Sequence, residues 1–571
     1  MQVSPQISAA EAKPGWPRAL ALAFLILAAA LALTPWTTLW DRDEPRFAQA
    51  TVEMLASGNY LYPTFNGALR PDKPILIYWL MSLPMRVLGP TELAARFWAP
   101  VGLALAALAT FSIGRRLVSA RAGLWAMAIL AATPLSLMQG LGATTDSVLL
   151  AAITAAMAVF TAALARGPRS LHLVGIAAAI ALALLAKGPV GLAVPVLAML
   201  GALAWLVWRD RVGRGIPAFA AGVAIAAVAG VGLALLWALP ANQATFGEFA
   251  RRGLGHHVVE RSLTPLEGHG GNLLLSSPYY LIVILIGFGP WTLYLPGAVS
   301  AVLGGRAGGP RLRALLVGWI VPVLAMFTVV ATKLPHYVLP VWPALALAVA
   351  ATLTAEGAGR LDESDRRWLR RGVWLFAPVV AIETAGLLAA SWRPVVPGLR
   401  WPCLALAAVL AATAAAALRR HLAGEVTRGA AVLLGGTVLS LVLAAGAALP
   451  ALDRIKPVPP LAAAIRARTP EYVPLATFEF DEPSLIFYTR RIPVAPLPSA
   501  AAAAAWARSG GEGVLVIPRD SLARVIREHG PLPLREIAAA RGINVSKGKP
   551  VELVALARNL TPARDARARM R

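Results

Sequence analysis

Stretches of about 20 consecutive apolar residues recur along this chain, each long enough to cross the hydrocarbon core of a bilayer as a helix. Inside lipid every backbone polar group must find its partner within the protein, which restricts such a chain to a bundle of spanning helices. Composition agrees, since 58% of the 571 residues are hydrophobic and 14% charged, against roughly 25% charged in soluble chains. A water-soluble globule is excluded. The single cysteine, Cys403, sits in an apolar run, which excludes a disulfide framework and a Cys-based zinc site.

Thirteen spans are expected, near 18–39, 93–113, 121–140, 145–165, 171–187, 189–208, 216–240, 278–302, 313–331, 336–355, 372–391, 401–418 and 430–451. Residues 1–16 are polar without a cleavage pattern, so the first span reads as a retained anchor. The net charge of +24 would suit a nucleic-acid partner, but its distribution points elsewhere. Arginines gather in alternate loops: Arg115-Arg116, Arg166 with Arg169, Arg209 with Arg211 and Arg214, Arg306 with Arg311 and Arg313, Arg366-Arg367 with Arg370-Arg371, and Arg419-Arg420 with Arg428. This is the positive-inside bias, and it predicts a cytoplasmic N-terminus and an external tail, which in a bacterium means the periplasm. The prediction turns on Lys187-Gly188-Pro189, where Gly and Pro interrupt an apolar stretch; a single long helix there would swap the side of every later loop.

Two domains are expected: a membrane domain over 1–452, with outer interfacial helices near 43–57 and 74–88, and an α/β domain over 453–571. In the tail, helices are read near 459–468, 483–489, 499–508 and 520–529, with strands at 472–478, 514–517 and 551–556. No phosphate loop and no Ser/His/Asp arrangement occurs in it, so a lid or docking role is expected there.

The outer loops hold the chemistry-bearing residues. Asp43-Glu44-Pro45-Arg46 follows the first span and reads as a helix start, with Asp43 either an ordinary cap or a base toward an incoming acceptor. Asp72-Lys73-Pro74 heads a short apolar run; Lys73 either neutralises a lipid phosphate or pairs with Asp72. Thr144-Thr145-Asp146 opens the fourth span, Lys187 closes the fifth, and the loop 241–277 carries His256, His257, Arg261 and His269, donors suited to phosphate. His256 could join a distant carboxylate on a divalent cation. Lys333, His336 and Tyr337 lie between two later spans, where Lys333 and Tyr337 either contact the same ligand or anchor the interface. Ionisable residues gathered at one face of a membrane protein predict a site there, one suited to a lipid that carries a phosphate.

These motifs resemble those of the GT-C glycosyltransferases that use lipid carriers, specifically the bacterial aminoarabinose transferase and protein O-mannosyltransferase superfamily. The resemblance rests on Asp43-Glu44-Pro45-Arg46-Phe47-Ala48, Asp72-Lys73-Pro74, Thr144-Thr145-Asp146, Lys187-Gly188-Pro189, the His256 to His269 loop and Lys333-Leu334-Pro335-His336-Tyr337, and it spans nearly the whole chain. It implies a GT-C fold and transfer of a sugar from polyprenyl phosphate, typically undecaprenyl phosphate, to a periplasmic acceptor such as lipid A, with inversion at C1. A protein acceptor is the alternative, and a lipid or solute transporter a further one. The implied catalytic residues are Asp43 and Asp146. Lys73, with Arg261, Lys333 and Tyr337, would hold the donor phosphate. Glu44, Arg46, Lys187 and His336 would line the pocket, and Asp72 with His256 would share a divalent cation. No nucleotide or organic cofactor and no nucleic-acid partner is implied. Asp72 stands where aminoarabinose enzymes carry Glu, and Pro45 where a Thr follows the Glu, so sugar and acceptor stay open.

Overall fold

A computed structural model describes residues 15–213, 215–253, 255, 278–392, 396 and 398–559. Among them, eleven helices are long and apolar enough to cross a membrane, or thirteen if each of two bent helix pairs is counted as one span. The chain is a polytopic membrane protein.

The bends fall where the sequence removes helical hydrogen bonds. Ala120–Ala131 turns by 67° into Pro134–Leu141, with Pro134 opening the second piece and the Thr133 hydroxyl accepting from Ser136 N. Tyr279–Gly287 turns by 110° into Trp291–Leu303, across Gly289-Pro290. The stretches 121–140 and 278–302 are thus broken rather than continuous helices. The two breaks support each other, because the buried Trp291 indole N–H donates to Ala132 C=O at 3.2 Å. A carbonyl left over by one bend is satisfied by a side chain from the other.

The helices that frame the site are α1 (Trp16–Leu33), α2 (Asp43–Ser57), α3 (Leu76–Leu88), α4 (Asp146–Arg166), α5 (Ser170–Lys187), α6 (Ile216–Ala244) and α7 (Pro310–Val329). After α5 the chain reverses at Gly188, whose φ of +69° is open to glycine at little cost. The next helix starts at Val190, so the Lys187-Gly188-Pro189 break separates two spans. Close packing follows from small residues: a Cβ on Gly318 of α7 would lie 2.1 Å from Ala202 N, and only glycine lets those backbones approach so closely.

Arginine-bearing loops meet at one end of the bundle. Arg313 pairs with Asp210, and Arg306 with Asp365 and, at 3.2 Å, with Asp362. The opposite end gathers residues 37–44, 70–73, 143–146, Lys187 and 335–337.

At that second end α2 and α3 pack on each other. Phe47, Ala50 and Met54 of α2 and Ile77, Tyr78 and Met81 of α3 are buried together. The apolar face of α2, expected to lie in the interface, is therefore occupied by protein, while Leu83, Val87 and Leu88 remain exposed on α3. Asp43 is the first helical residue of α2, with Arg42 in the cap position and no side-chain cap bond, so its capping role falls away.

Beyond Asp453 the tail forms a five-stranded sheet of order β2-β1-β3-β5-β4, with β1 (Leu475–Phe478), β2 (Val494–Leu497), β3 (Gly513–Pro518), β4 (Arg535–Asn544) and β5 (Lys549–Arg558). β1 runs parallel to β2 and β3, pairing Leu475 with Val494 and Val514, while β5 runs antiparallel to β3 and β4. Helix α8 (Pro483–Thr489) follows β1. The two strands that the sequence reading missed, β2 and β4, are the edges. Half-exposed Ala, Arg and Pro at an edge lack the β-branched alternation that marks a buried strand.

Candidate active site

A cavity of about 540 Å³ opens between the loop before α3, the facing ends of α4 and α5, α6, α7 and the turn at 336–340. Its polar end is lined by Asp72, Lys73, Asp146, Lys187, His336 and Tyr337. Its walls are apolar: Leu184 and Leu185 from α5, Leu235 and Trp237 from α6, Met326 and Phe327 from α7. A charged head against a greasy slot is the shape an amphiphile with an anionic headgroup requires.

Helix ends place the charges. Asp146 begins α4 and Lys187 ends α5, so each charge has the sign its helix terminus favours. They meet as a largely buried ion pair at 2.5 Å. The Lys187 ammonium also lies 5.5 Å from the centroid of the Tyr337 ring, which stands edge-on to His336 at 5.1 Å. Asp146, Lys187, Asp43 and Lys73 all act electrostatically on the His336 ring. Lys73, Asp146 and Lys187 thus reach the His336 end of the cavity from three separate segments.

On the other flank, Arg70 is buried and donates to the Tyr78 hydroxyl at 3.1 Å, with Phe47 and Phe65 beside its guanidinium at 5.3 and 6.0 Å. It pairs with Asp72 at 3.1 Å, so the partner of Asp72 is Arg70. Lys73 donates to the backbone carbonyl of Asp72 at 3.3 Å. Asp43 is exposed and makes no hydrogen bond or ion pair among the described residues, yet its charge is felt at Arg70, Tyr78 and His336.

Two expected pocket residues do other work. The buried Glu44 takes Arg96 in a two-pronged pair at 2.7 and 2.9 Å and accepts from Trp40 N and Ala143 N at 2.7 and 2.6 Å. Burial by itself would raise this carboxyl, but the Arg96 charge and these bonds hold it below its ordinary value. Arg96 further donates to the carbonyls of Thr34, Thr37 and Thr38, so Glu44 bolts α2 to the end of α1 and has no lone pair left for a substrate. Lys333 caps α7 instead of reaching the cavity, donating to the carbonyls of Phe327, Thr328 and Val330; burial lowers its affinity for a proton. Arg46 is half-buried on α2 and outside the cavity lining. Arg261 and His256 lie outside the described residues.

Among the described residues no group of three or more His, Cys, Asp or Glu is placed to hold a metal ion, and Asp72 faces a guanidinium. His256, the other expected ligand, lies outside the described residues. The sequence reading missed Arg70, Tyr78 and Arg96. Arg96 was detectable, since a charge at the start of an apolar run must find a buried partner.

Residues 72–234 match the family model described as dolichyl-phosphate-mannose-protein mannosyltransferase. The chain is 31% identical over 344 residues to an undecaprenyl phosphate-alpha-4-amino-4-deoxy-L-arabinose arabinosyl transferase of Edwardsiella ictaluri, covering 59% of each protein. It is 30% identical over 380 residues to the protein of that name from Pectobacterium carotovorum, covering 64% of each. The matched region thus spans about three fifths of these relatives. Among solved structures it is similar to ArnT from Cupriavidus metallidurans bound to undecaprenyl phosphate, with a TM-score of 0.75 at 20% identity over 95% of this chain and 98% of that one. The apo state of the same protein gives 0.73 at 21% identity.

The class is therefore a polytopic membrane protein with the GT-C fold. Within it, the matched segments are similar to aminoarabinose transferases and to the mannosyltransferase family model.

Proposed function

We propose that this protein is an inverting glycosyltransferase that moves a sugar, aminoarabinose or a similar one, from a polyprenyl phosphate to an acceptor such as lipid A at the periplasmic face of the bacterial inner membrane. The observation that carries this reading is the cavity itself: Lys73 and Lys187 at its head, beside an apolar slot of about 540 Å³. Lipid-linked phosphate explains both halves, whereas a soluble sugar nucleotide would leave the apolar walls without purpose.

In this reading the acceptor oxygen attacks C1 of the sugar from the face opposite the phosphate. The C1–O bond to phosphate breaks, its electron pair stays on the departing polyprenyl phosphate, and Lys73 and Lys187 stabilise the charge that develops there. A hydroxyl acceptor gives its proton to Asp43, which is exposed, unpaired and electrostatically coupled to the head of the cavity. A phosphate acceptor is already ionised and needs chiefly orientation. Asp146 holds the Lys187 ammonium in place through their 2.5 Å pair. The transporter reading predicts ionisable groups lining a path through both ends of the bundle; the polar cluster found here lines one end of one cavity.

Purified protein supplied with a polyprenyl-phosphate sugar and acceptor should release free polyprenyl phosphate, and Asp43→Asn should stop this while the protein remains folded. Full turnover in that variant would reject Asp43 as the base. The family match over 72–234 favours a second reading in which the acceptor is a protein. Mass spectrometry of lipid A and of envelope glycoproteins, with and without the protein, separates the two.

A further inference from the structure

The segment that delivers Asp43 to the site is held by Arg96 and Glu44 on one side and by the tail on the other. Thr38 donates from its N–H and hydroxyl to the Asp453 carboxylate at 3.1 and 2.8 Å. Lys456 donates to the carbonyls of Thr38 and Leu39 at 2.9 and 3.2 Å, and its ammonium lies 3.6 Å from the centroid of the Trp40 ring. Leu39 N donates to the Tyr488 hydroxyl at 2.7 Å, which in turn donates to Glu92 at 2.8 Å. Asp41 accepts from the Ser484 N–H at 2.9 Å and from its hydroxyl, and Arg42 pairs with the buried Glu482 at 3.6 Å. Five consecutive residues, 38 to 42, are each fixed by the tail, and Glu44 is fixed by Arg96. Asp43, between them, is left without a hydrogen bond.

Simple docking does not require this arrangement. Burying Asp41 and Lys456 costs desolvation, and apolar contacts would attach the tail more firmly; buried charges fix one geometry in return. Burial raises Asp41, against the bonds from Ser484, and the charges facing it are Glu482 and Lys456. Freezing five loop residues is also entropically expensive, so the bonds serve to define where the loop stands.

We propose that the C-terminal domain is the template that positions Asp43, with Asp41 held on Ser484 as the positioning residue for the catalytic carboxylate. This rests on the transferase reading above, but has a readout of its own. The tail touches the loop of Asp43 and does not line the donor cavity, so loosening the latch should disturb the chemical step and spare donor binding.

The test uses the full chain in lipid nanodiscs, with Asp41→Ala, Ser484→Ala and Asp41→Asn beside the unaltered protein. Two quantities are measured: kcat and KM for a polyprenyl-phosphate sugar, and backbone hydrogen exchange over residues 37–44. Asp41→Ala should lower kcat by about 10- to 100-fold, the effect of a misplacement near 1 Å, while KM stays within about twofold. Exchange should rise over 37–44 and stay level at the start of α4. Ser484→Ala, a smaller change, should show the same pattern more weakly, which secures the test if Asp41→Ala folds poorly. Asp41→Asn keeps an acceptor for Ser484 N–H and should recover most of kcat. Unchanged kcat and exchange in both alanine variants would overturn the proposal, as would an asparagine variant no better than alanine. If the unaltered protein gives no turnover, the transferase reading fails by itself, and the latch then stands or falls on exchange alone.

Discussion

Neighbouring acids in this chain have opposite fates. Asp43 is exposed and unbonded at the start of α2, whereas Glu44 is buried with its carboxylate shared between Arg96 and two backbone N–H groups. Asp43→Asn should therefore abolish turnover with little change in thermal unfolding. Glu44→Gln should do the reverse at the level of folding, leaving Arg96 buried without a counter-charge at a cost of about 3–5 kcal/mol, readable as a lowered unfolding temperature in detergent. Titration separates Asp41 and Glu44 by sign. Burial pushes Asp41 up from 3.8 to about 6, so its contribution to stability is complete below about 4 and is lost as pH rises through 6. Glu44 is held below its ordinary value, so its contribution is present at neutral pH and is lost only as pH falls through that depressed value. Replacing Asp41 with Asn should flatten the change in thermal stability between about pH 4 and 6, and unfolding curves across that range test it. The string Asp43-Glu44-Pro45-Arg46 showed acids beside a membrane span; it could not show which one faced Arg96, a residue 52 positions away from Glu44.

Among the elements, short local signals carried far. Gly188 followed by Pro189 predicted a break, and the helix does stop at Lys187. Gly188→Ala forces a side chain into a backbone region open essentially to glycine alone, φ 69° with ψ −144°, and should cost about 1–3 kcal/mol. Gly318 makes a harder demand, since any side chain there meets the Ala202 backbone; Gly318→Val should part the two helices and lower the unfolding temperature more than Gly188→Ala does. Among the described residues, the hydropathy pattern located the eleven helices long and apolar enough to cross a membrane yet left the two bends unseen. An apolar run looks alike whether straight or kinked, and the support for these kinks comes from Trp291, 159 residues from the carbonyl it meets. In the tail, buried β1, β3 and β5 announced themselves through apolar runs, and the edge strands did not.

For the whole molecule, alternate arginine loops predict a side for each end of the bundle, and Arg306 with Asp365 and Arg313 with Asp210 bring three of those loops together. With Cys403 replaced by Ala, Ser57→Cys should react with an impermeant thiol reagent only from the periplasmic side, and Arg360→Cys only from the cytoplasmic side. Labelling of both from one side would overturn the proposed orientation. The sequence by itself determined that the chain lives in a bilayer, roughly where it crosses, and that its acids and bases gather at one end of the bundle, because hydrophobicity and loop charge act locally and add along the chain. Only the tertiary structure decided which of those charged residues share a cavity, which are structural bolts, and that the tail grips the loop of Asp43. Each of those outcomes depends on a partner tens to hundreds of residues distant, and a buried charge takes its role from the partner it meets.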